Sequence, residues 1–331
     1  MQDFKSFSDA IKDLKSEEFE SFALKLFRFQ ASANEIYKKY VEARQIKVDD
    51  VKSIQDIPFL PIRFFKDFPV VCGEEKDFPG FYSSSGTTGM ITSRHYFWSE
   101  TLYLEHAQSL FEKEYGKLTD FHVLALLPAY LERKGSSLVS MADHFIRKSE
   151  SEHSGFYLYN QEELLRKLEF LAKGNRKVLL LGVTFALLDL AESGKSMPKM
   201  DNLIMMETGG MKGRRKEMIR EEVHEILKKF FEVKEIHSEY GMTEMMSQAY
   251  SKGNGKYTLP TSLRVMLRDV NDPLSWSNRK QGGINVVDLA NFHSCAFIET
   301  QDLGRFDENG ELEVLGRFDN SEIRGCNLLV Q

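Results

Sequence analysis

Tyr82-Ser83-Ser84-Ser85-Gly86-Thr87-Thr88-Gly89 is the stretch on which the reading of this chain turns. Phosphate oxygens approaching a backbone need converging amide donors, hydroxyls, and glycines that permit positive φ. Ser83 to Gly89 supplies all three. The loop is not a Walker A sequence, because the lysine and hydroxyl of GxxxxGK[ST] are missing. By composition alone it would be a Ser/Gly surface turn, but Phe81-Tyr82 before it and Tyr96-Phe97-Trp98 after it place it in an ordered setting.

Three later segments add to it. In Tyr240-Gly241-Met242-Thr243-Glu244 a carboxylate follows a glycine turn directly after a predicted buried strand, where open α/β sheets bind ligands. Magnesium on a nucleotide takes one or two protein oxygens, so Glu244 with Thr87 or Thr88 is chemically sufficient. The competing reading is an ordinary strand-to-helix turn with Glu244 as a first-turn acid. Asp302, in Thr300-Gln301-Asp302, and Arg317, in Gly316-Arg317-Phe318-Asp319, flank the hairpin turn Asn309-Gly310 and can converge on a ribose or pair with each other at the surface.

Outward from these motifs, the pattern is α/β. Residues 1–55 form a helical segment, with Phe7, Ile11, Leu14, Phe19, Phe22, Leu26, Phe27, Ile36, Tyr37, Tyr40 and Val41 at helical spacing. Residues 56–252 alternate buried strands (121–128, 177–182, 202–206, 233–238) with helices (164–172 and about 216–231), which predicts parallel βαβ units in layered, mostly parallel sheets. Residues 253–331 turn to short alternating runs with turn signals, a small antiparallel β subdomain.

The 331 residues, 42% hydrophobic, suffice for a large core. A formal net charge of -6, with mixed signs along the chain, argues against nucleic acid or an anionic membrane as a partner. Three scattered cysteines (Cys72, Cys295, Cys326) make neither a disulfide framework nor a zinc site, and no leader or membrane span is evident, so a cytoplasmic protein is predicted. The eight histidines show no metal spacing, and His237, just before the Tyr240 turn, reads as a satisfied structural residue.

SSGTTG, YGMTE, TQD and GRFDNSEIRG, spanning residues 82 to 325, together resemble the core motifs of the adenylate-forming superfamily of acyl-CoA ligases, luciferases and peptide-synthetase adenylation domains. Pro58 to Lys66, Leu127 to Arg133 and Glu207 to Gly213 look most like the LuxE-type acyl-protein synthetases, with phenylacetate-CoA-ligase-like proteins next. The resemblance implies ATP and Mg²⁺ as cofactors, a carboxylic and most simply fatty acid as substrate, and an acyl carrier, reductase or transferase protein as partner.

Role by role, the resemblance implies that Ser85, Gly86, Thr87, Thr88 and Gly89 hold the ATP phosphates and that Gly209 and Gly210 approach adenine or the acyl group. Tyr240 and Gly241 would lie near adenine, Thr243 at the α-phosphate, Glu244 on Mg²⁺, and Asp302 with Arg317 on the ribose. Asp319 would mark the hinge. Thr87, Thr88, Glu244, Arg317 and Cys326 are the catalytic candidates.

Phe185, Met205, Met206 and Met245 offer an apolar acid pocket without defining a chain length. Two departures stand out. Met90 to Arg94 replaces the usual lysine element after the glycine loop, and no lysine follows Lys280, so the superfamily's mobile C-terminal domain is expected to be absent. Arg94, Arg305, Arg317 and Arg324 then become candidates for the missing cation. Cys326, beside Arg324, becomes the candidate acyl acceptor of LuxE-type transfer. A degenerate or partner-dependent nucleotide-binding subunit and a phenylacetate-type ligase are the alternatives.

Overall fold

A computed structural model describes residues 2–84, 92–127, 135–195, 197, 199–209, 218–277 and 279–318. The chain divides into two compact units, one of residues 1–103, 243–247 and 259–331, the other of 104–242 and 248–258. The expected boundaries after residues 55 and 252 each fall inside a unit.

Unit 1 begins with three helices, α1 (Gln2–Lys12), α2 (Phe19–Ala33) and α3 (Glu35–Ala43). Asn34 separates the last two: its extended backbone ends α2, and its Oδ1 accepts from Tyr37 N at 3.0 Å to start α3. Phe4, Phe7, Leu26, Phe27 and Tyr37 are buried on one helical face, as the periodicity predicts. Next come β1 (Leu60–Pro61) and the antiparallel ribbon β2 (Gly80–Ser83) with β3 (Arg94–Phe97).

Unit 2 contains β4 (Phe121–Leu126), β5 (Gly155–Phe156), β6 (Lys177–Gly182), β7 (Leu203–Glu207), β8 (His237–Tyr240), β9 (Ala249–Ser251) and β10 (Lys256–Thr258). The order β5-β4-β6-β7-β8 is parallel, with helices Gln161–Leu171, Thr184–Ala191 and Arg220–Phe231 among the connections. The chain then returns to unit 1 for an antiparallel meander, β11 (Leu263–Arg268), β12 (Gln281–Asp288), β13 (Phe297–Phe306) and β14 (Leu312–Arg317), with β1 parallel to β13.

The sheets are therefore mixed rather than mostly parallel. The physical reason lies after Tyr240. No helix follows the glycine turn; residues 241–248 form turns, and β9 comes straight back antiparallel to β8 without the long crossover that parallel pairing needs. The strand predicted over 233–238 is displaced, so that Tyr240 is its last residue rather than part of a turn.

The buried loop between β12 and β13 organises unit 1. Gln30 Nε2 donates to the carbonyls of Asn291 (2.9 Å) and Phe292 (3.1 Å), and its Oε1 accepts from Ala296 N at 3.0 Å. Asn34 Nδ2 donates to Ser294 O at 3.0 Å. Asp288, fully buried, accepts from Met246 N (2.7 Å), Ser247 N (3.0 Å), Ser247 Oγ (2.7 Å) and Ala290 N (3.2 Å). Burial pushes its carboxyl above the usual range, opposed by these hydrogen bonds. Replacing Asp288 with Ala strands these donors in the core and is expected to destabilise the protein by about 3 kcal/mol or more. Urea unfolding measures this, and an unchanged midpoint would show that the clamp carries no stability.

Candidate active site

In unit 1 the elements converge on Glu244. The ribbon β2–β3 pairs Ser83 with Arg94, and beyond it Ser84 N donates to Ser93 O (3.1 Å) and Ser93 N to Ser84 Oγ (2.9 Å). Glu244 is 5% exposed and its carboxyl lies near enough to Ser93 for that residue to stabilise its charge, which puts it beside the base of the hairpin that carries the glycine loop. Burial raises its affinity for a proton, while Ser93 and the charges of Arg317 and Lys66 pull the other way. Ser85 to Gly89, with Thr87 and Thr88 among them, lie outside the described residues.

The backbone at Glu244 is fixed from behind. Asn291 Nδ2 donates to Glu244 O at 2.8 Å, and Asn291 Oδ1 meets His95 Nε2 at 2.9 Å. His95 is buried close to the backbone of Thr243; burial lowers its pKa to about 4, so it is neutral at neutral pH. Asp288, Asn291 and His95 are positioning residues that sequence reading missed, because a lone Asp, Asn or His in a strand or loop carries no motif. The one available signal was the polar run Asn291-Phe292-His293-Ser294 inside an otherwise apolar segment.

Asp302 and Arg317 are directly opposite each other in the β13–β14 register. Arg317 Nη2 donates to Gln301 Oε1 at 2.7 Å. Arg305, a candidate for the missing cation, is instead committed to Glu313, with Nη2 to Oε2 at 2.6 Å. Lys66, which sequence reading did not single out as a cation, acts on Glu244 and makes no ion pair among the described residues. Arg94 lies against the Tyr96 ring, 6.0 Å from its centroid. Asp319, Arg324 and Cys326 are outside the described residues, and Met245 is buried.

Unit 2 holds the remaining candidates. Gly209 follows β7 with φ +73, a left-handed backbone that favours glycine, and no described atom lies within 4 Å of where a Cβ would stand. Its amide donates to Glu207 Oε2 at 2.6 Å, as does Thr184 Oγ1 at 2.8 Å. Gly210 is outside the described residues. Tyr240 is buried edge-on against Tyr257, their centroids 5.9 Å apart. Gly241 has a packing reason to be glycine: a Cβ there would stand 2.3 Å from Glu239 Oε1. His237 Nδ1 meets Tyr115 Oη at 3.1 Å, a structural role. Phe185, Met205 and Met206 are buried in this unit.

Two carboxyls sit buried here with opposite character. Burial raises the Glu207 pKa, but His224, whose Nε2 is 3.7 Å from its Oε1, and the Arg220 charge outweigh it and hold the pKa at about 2. Glu239 has no such cation, and burial next to the Glu207 charge pushes it up to about 8. The folded state thus keeps a proton on Glu239 that the unfolded chain releases above about pH 4.3, so this group's contribution to stability falls as pH rises from about 4.3 to 8. Glu207 acts oppositely, its contribution being lost as pH falls from about 4.3 through 2. Glu239→Gln is expected to stabilise the protein at pH 8 by on the order of 2 kcal/mol and to change little at pH 5. Urea titrations at the two pH values measure the difference, and a variant destabilised equally at both would contradict a protonated Glu239.

No protein-family model matches the sequence, and no curated protein matches it significantly. Solved structures do. One is a 2-hydroxyisobutyryl-CoA ligase in complex with 2-HIB-AMP and CoA, with a TM-score of 0.66 and 14% identity over 90% of this chain and 67% of that one. Another is ATP-bound MatB from Rhodopseudomonas palustris, with a TM-score of 0.52 and 18% identity over 75% of this chain and 49% of that one. The chain spans about two thirds of the first protein's length and half of the second's. Among the described residues, no helix is long and apolar enough to cross a membrane, and no group of three His, Cys, Asp or Glu side chains could hold a metal ion. This chain shares its fold with these two solved structures over most of its length.

Proposed function

We propose that the protein activates a carboxylic acid with ATP, forming acyl-AMP and pyrophosphate, and passes the acyl group to a thiol. The observation that carries this reading is the buried Glu244 carboxyl beside Ser93, at the base of the hairpin that bears the SSGTTG loop. The shared fold supports it.

The residues fit a magnesium nucleotide. Glu244 is a carboxyl kept from water and biased toward its neutral form, and a divalent cation is the partner that would hold it ionised. Bound there, Mg²⁺ would neutralise phosphate charge. Glu244 would supply one oxygen, with Thr87 or Thr88 as a second. Asp302 and Arg317, opposite each other on β13 and β14, would hold the ribose. Arg317, Lys66 and Arg94 would supply positive charge to the phosphates.

The substrate class we favour is a medium or long fatty acid, and the acceptor a protein thiol, as in the LuxE-type enzymes the motifs resemble. The thiolate attacks the acyl carbon, a thioester forms, and AMP leaves. Cys326 is the acceptor candidate on this chain, with a carrier or partner thiol as its counterpart.

Acid-dependent ATP–pyrophosphate exchange tests the first half. The wild type should exchange with at least one fatty acid, Glu244→Ala should lower the rate by about 100-fold, and Lys66→Gln by about 10-fold. Full exchange in Glu244→Ala would remove its metal role, and no exchange with any acid in a folded protein would sink adenylation by this chain alone. Labelled acid tests the second half: a hydroxylamine-labile label should remain on the wild type and be missing from Cys326→Ser. Equal labelling of the two would place the acceptor elsewhere.

A further inference from the structure

A cavity of about 150 Å³ lies in unit 1 and is lined by Arg44, Ile46, residues 55–59, residues 273–276, Asn285 and Glu299. Its volume is about five water molecules' share of the liquid, room for a molecule the size of a small amino acid. Asn285 and Glu299 stand directly opposite in the β12–β13 register, so both side chains leave the same face of the sheet. Side chains alternate along β13, so Glu299 and Asp302 leave opposite faces, and none of Glu244, Asp302 and Arg317 lines the cavity.

The polar groups on its wall are not used up by one another. Asn285 is 3% exposed; its Oδ1 accepts from Arg268 Nη1 at 2.9 Å, but its amide nitrogen has no hydrogen-bond partner among the described residues. The Glu299 carboxylate makes a long ion pair with Arg268 Nε, at 3.8 Å, and feels the charge of Arg44, but it accepts no hydrogen bond among the described residues. Arg44 donates to Tyr40 Oη at 3.2 Å and makes no ion pair among them. Phe59 and Trp276, edge to face with centroids 5.7 Å apart, add an aromatic wall.

Asp56, the other carboxylate on the wall, already accepts from Lys52 N, Ser53 N and Ser53 Oγ, which leaves the Glu299 carboxylate, the Asn285 amide nitrogen and the Arg44 guanidinium with hydrogen bonds to offer a ligand that carries both charges. We propose that this cavity binds a small zwitterion, an α-amino acid between glycine and serine in size, with its ammonium on Glu299 and its carboxylate on Arg44 and the Asn285 amide. Such a ligand enters with no net charge, and each of its charged groups meets an opposite partner, which is what makes burying it affordable. A lone cation would leave Arg44 unanswered, and a lone anion would face Glu299.

Isothermal titration with glycine, alanine and serine, against ethylamine and acetate as the two halves, tests the proposal. At least one amino acid should bind, and each half should bind about ten-fold or more weakly. Glu299→Gln and Arg44→Gln should each weaken amino-acid binding by about ten-fold or more. Arg44 is partly exposed at the end of α3, so its variant decides the matter if Glu299→Gln does not fold. No binding at about 10 mM of any of the three, affinity for one half equal to that for the whole, or undiminished binding in the folded variants would each overturn the proposal.

Discussion

The arrangement of unit 1 depends on one buried carboxylate. Asp288 stands where β12 ends and receives three donors from residues 246–247, a piece of chain that comes from the middle of the sequence. A buried acceptor with several fixed donors leaves those donors almost no alternative arrangement, since any departure strands a polar group away from water. Two residues upstream, Glu244 inherits that rigidity, and Asn291 adds a second tie from the same loop. The Glu244 carboxyl is therefore held by a scaffold of side chains that do not themselves resemble catalytic residues.

Unit 2 handles its buried charges differently. Glu207 is held ionised by His224 and Arg220 and spends its oxygens on Thr184 and the Gly209 amide, which sets the backbone at the end of β7. Glu239, one strand over, places its carboxyl where a Cβ at residue 241 would stand, so a side chain there would force it to shift. The glycine of YGMTE thus answers to the packing of a neutral acid, a requirement that exists with or without a ligand.

What could be read from sequence was what local chemistry writes into contiguous residues. The helical face of Phe7, Leu26, Phe27 and Tyr37, the strand Lys177–Gly182 and the antiparallel character of the last third were legible, because periodicity and turn residues report them directly. The direction of β9 was not, since a glycine turn is compatible with either a crossover helix or an immediate return, and tertiary pairing chose between them. Arg305 illustrates the same limit in the site: its usefulness as a free cation vanishes once Glu313 lies across the hairpin, a fact that only the register supplies. Lys66 is the converse case, an ordinary lysine on a short helix whose relevance comes wholly from its proximity to Glu244.

Gln30 reaches across 261 positions of sequence to the carbonyl of Asn291, and Asn34 across 260 to Ser294. Closure over such separations cannot occur until the far segment has been synthesised, whereas residues 104–258 hold every part of unit 2 in one continuous stretch. On the ribosome, then, the helices made first are among the last to find their partners. Their aromatic face of Phe4, Phe7 and Phe27 waits for Phe292 and Phe297 through most of translation. The interval leaves a greasy surface open to trapping by other chains, and chaperone demand in the cell should track the N-terminal helices rather than the parallel sheet.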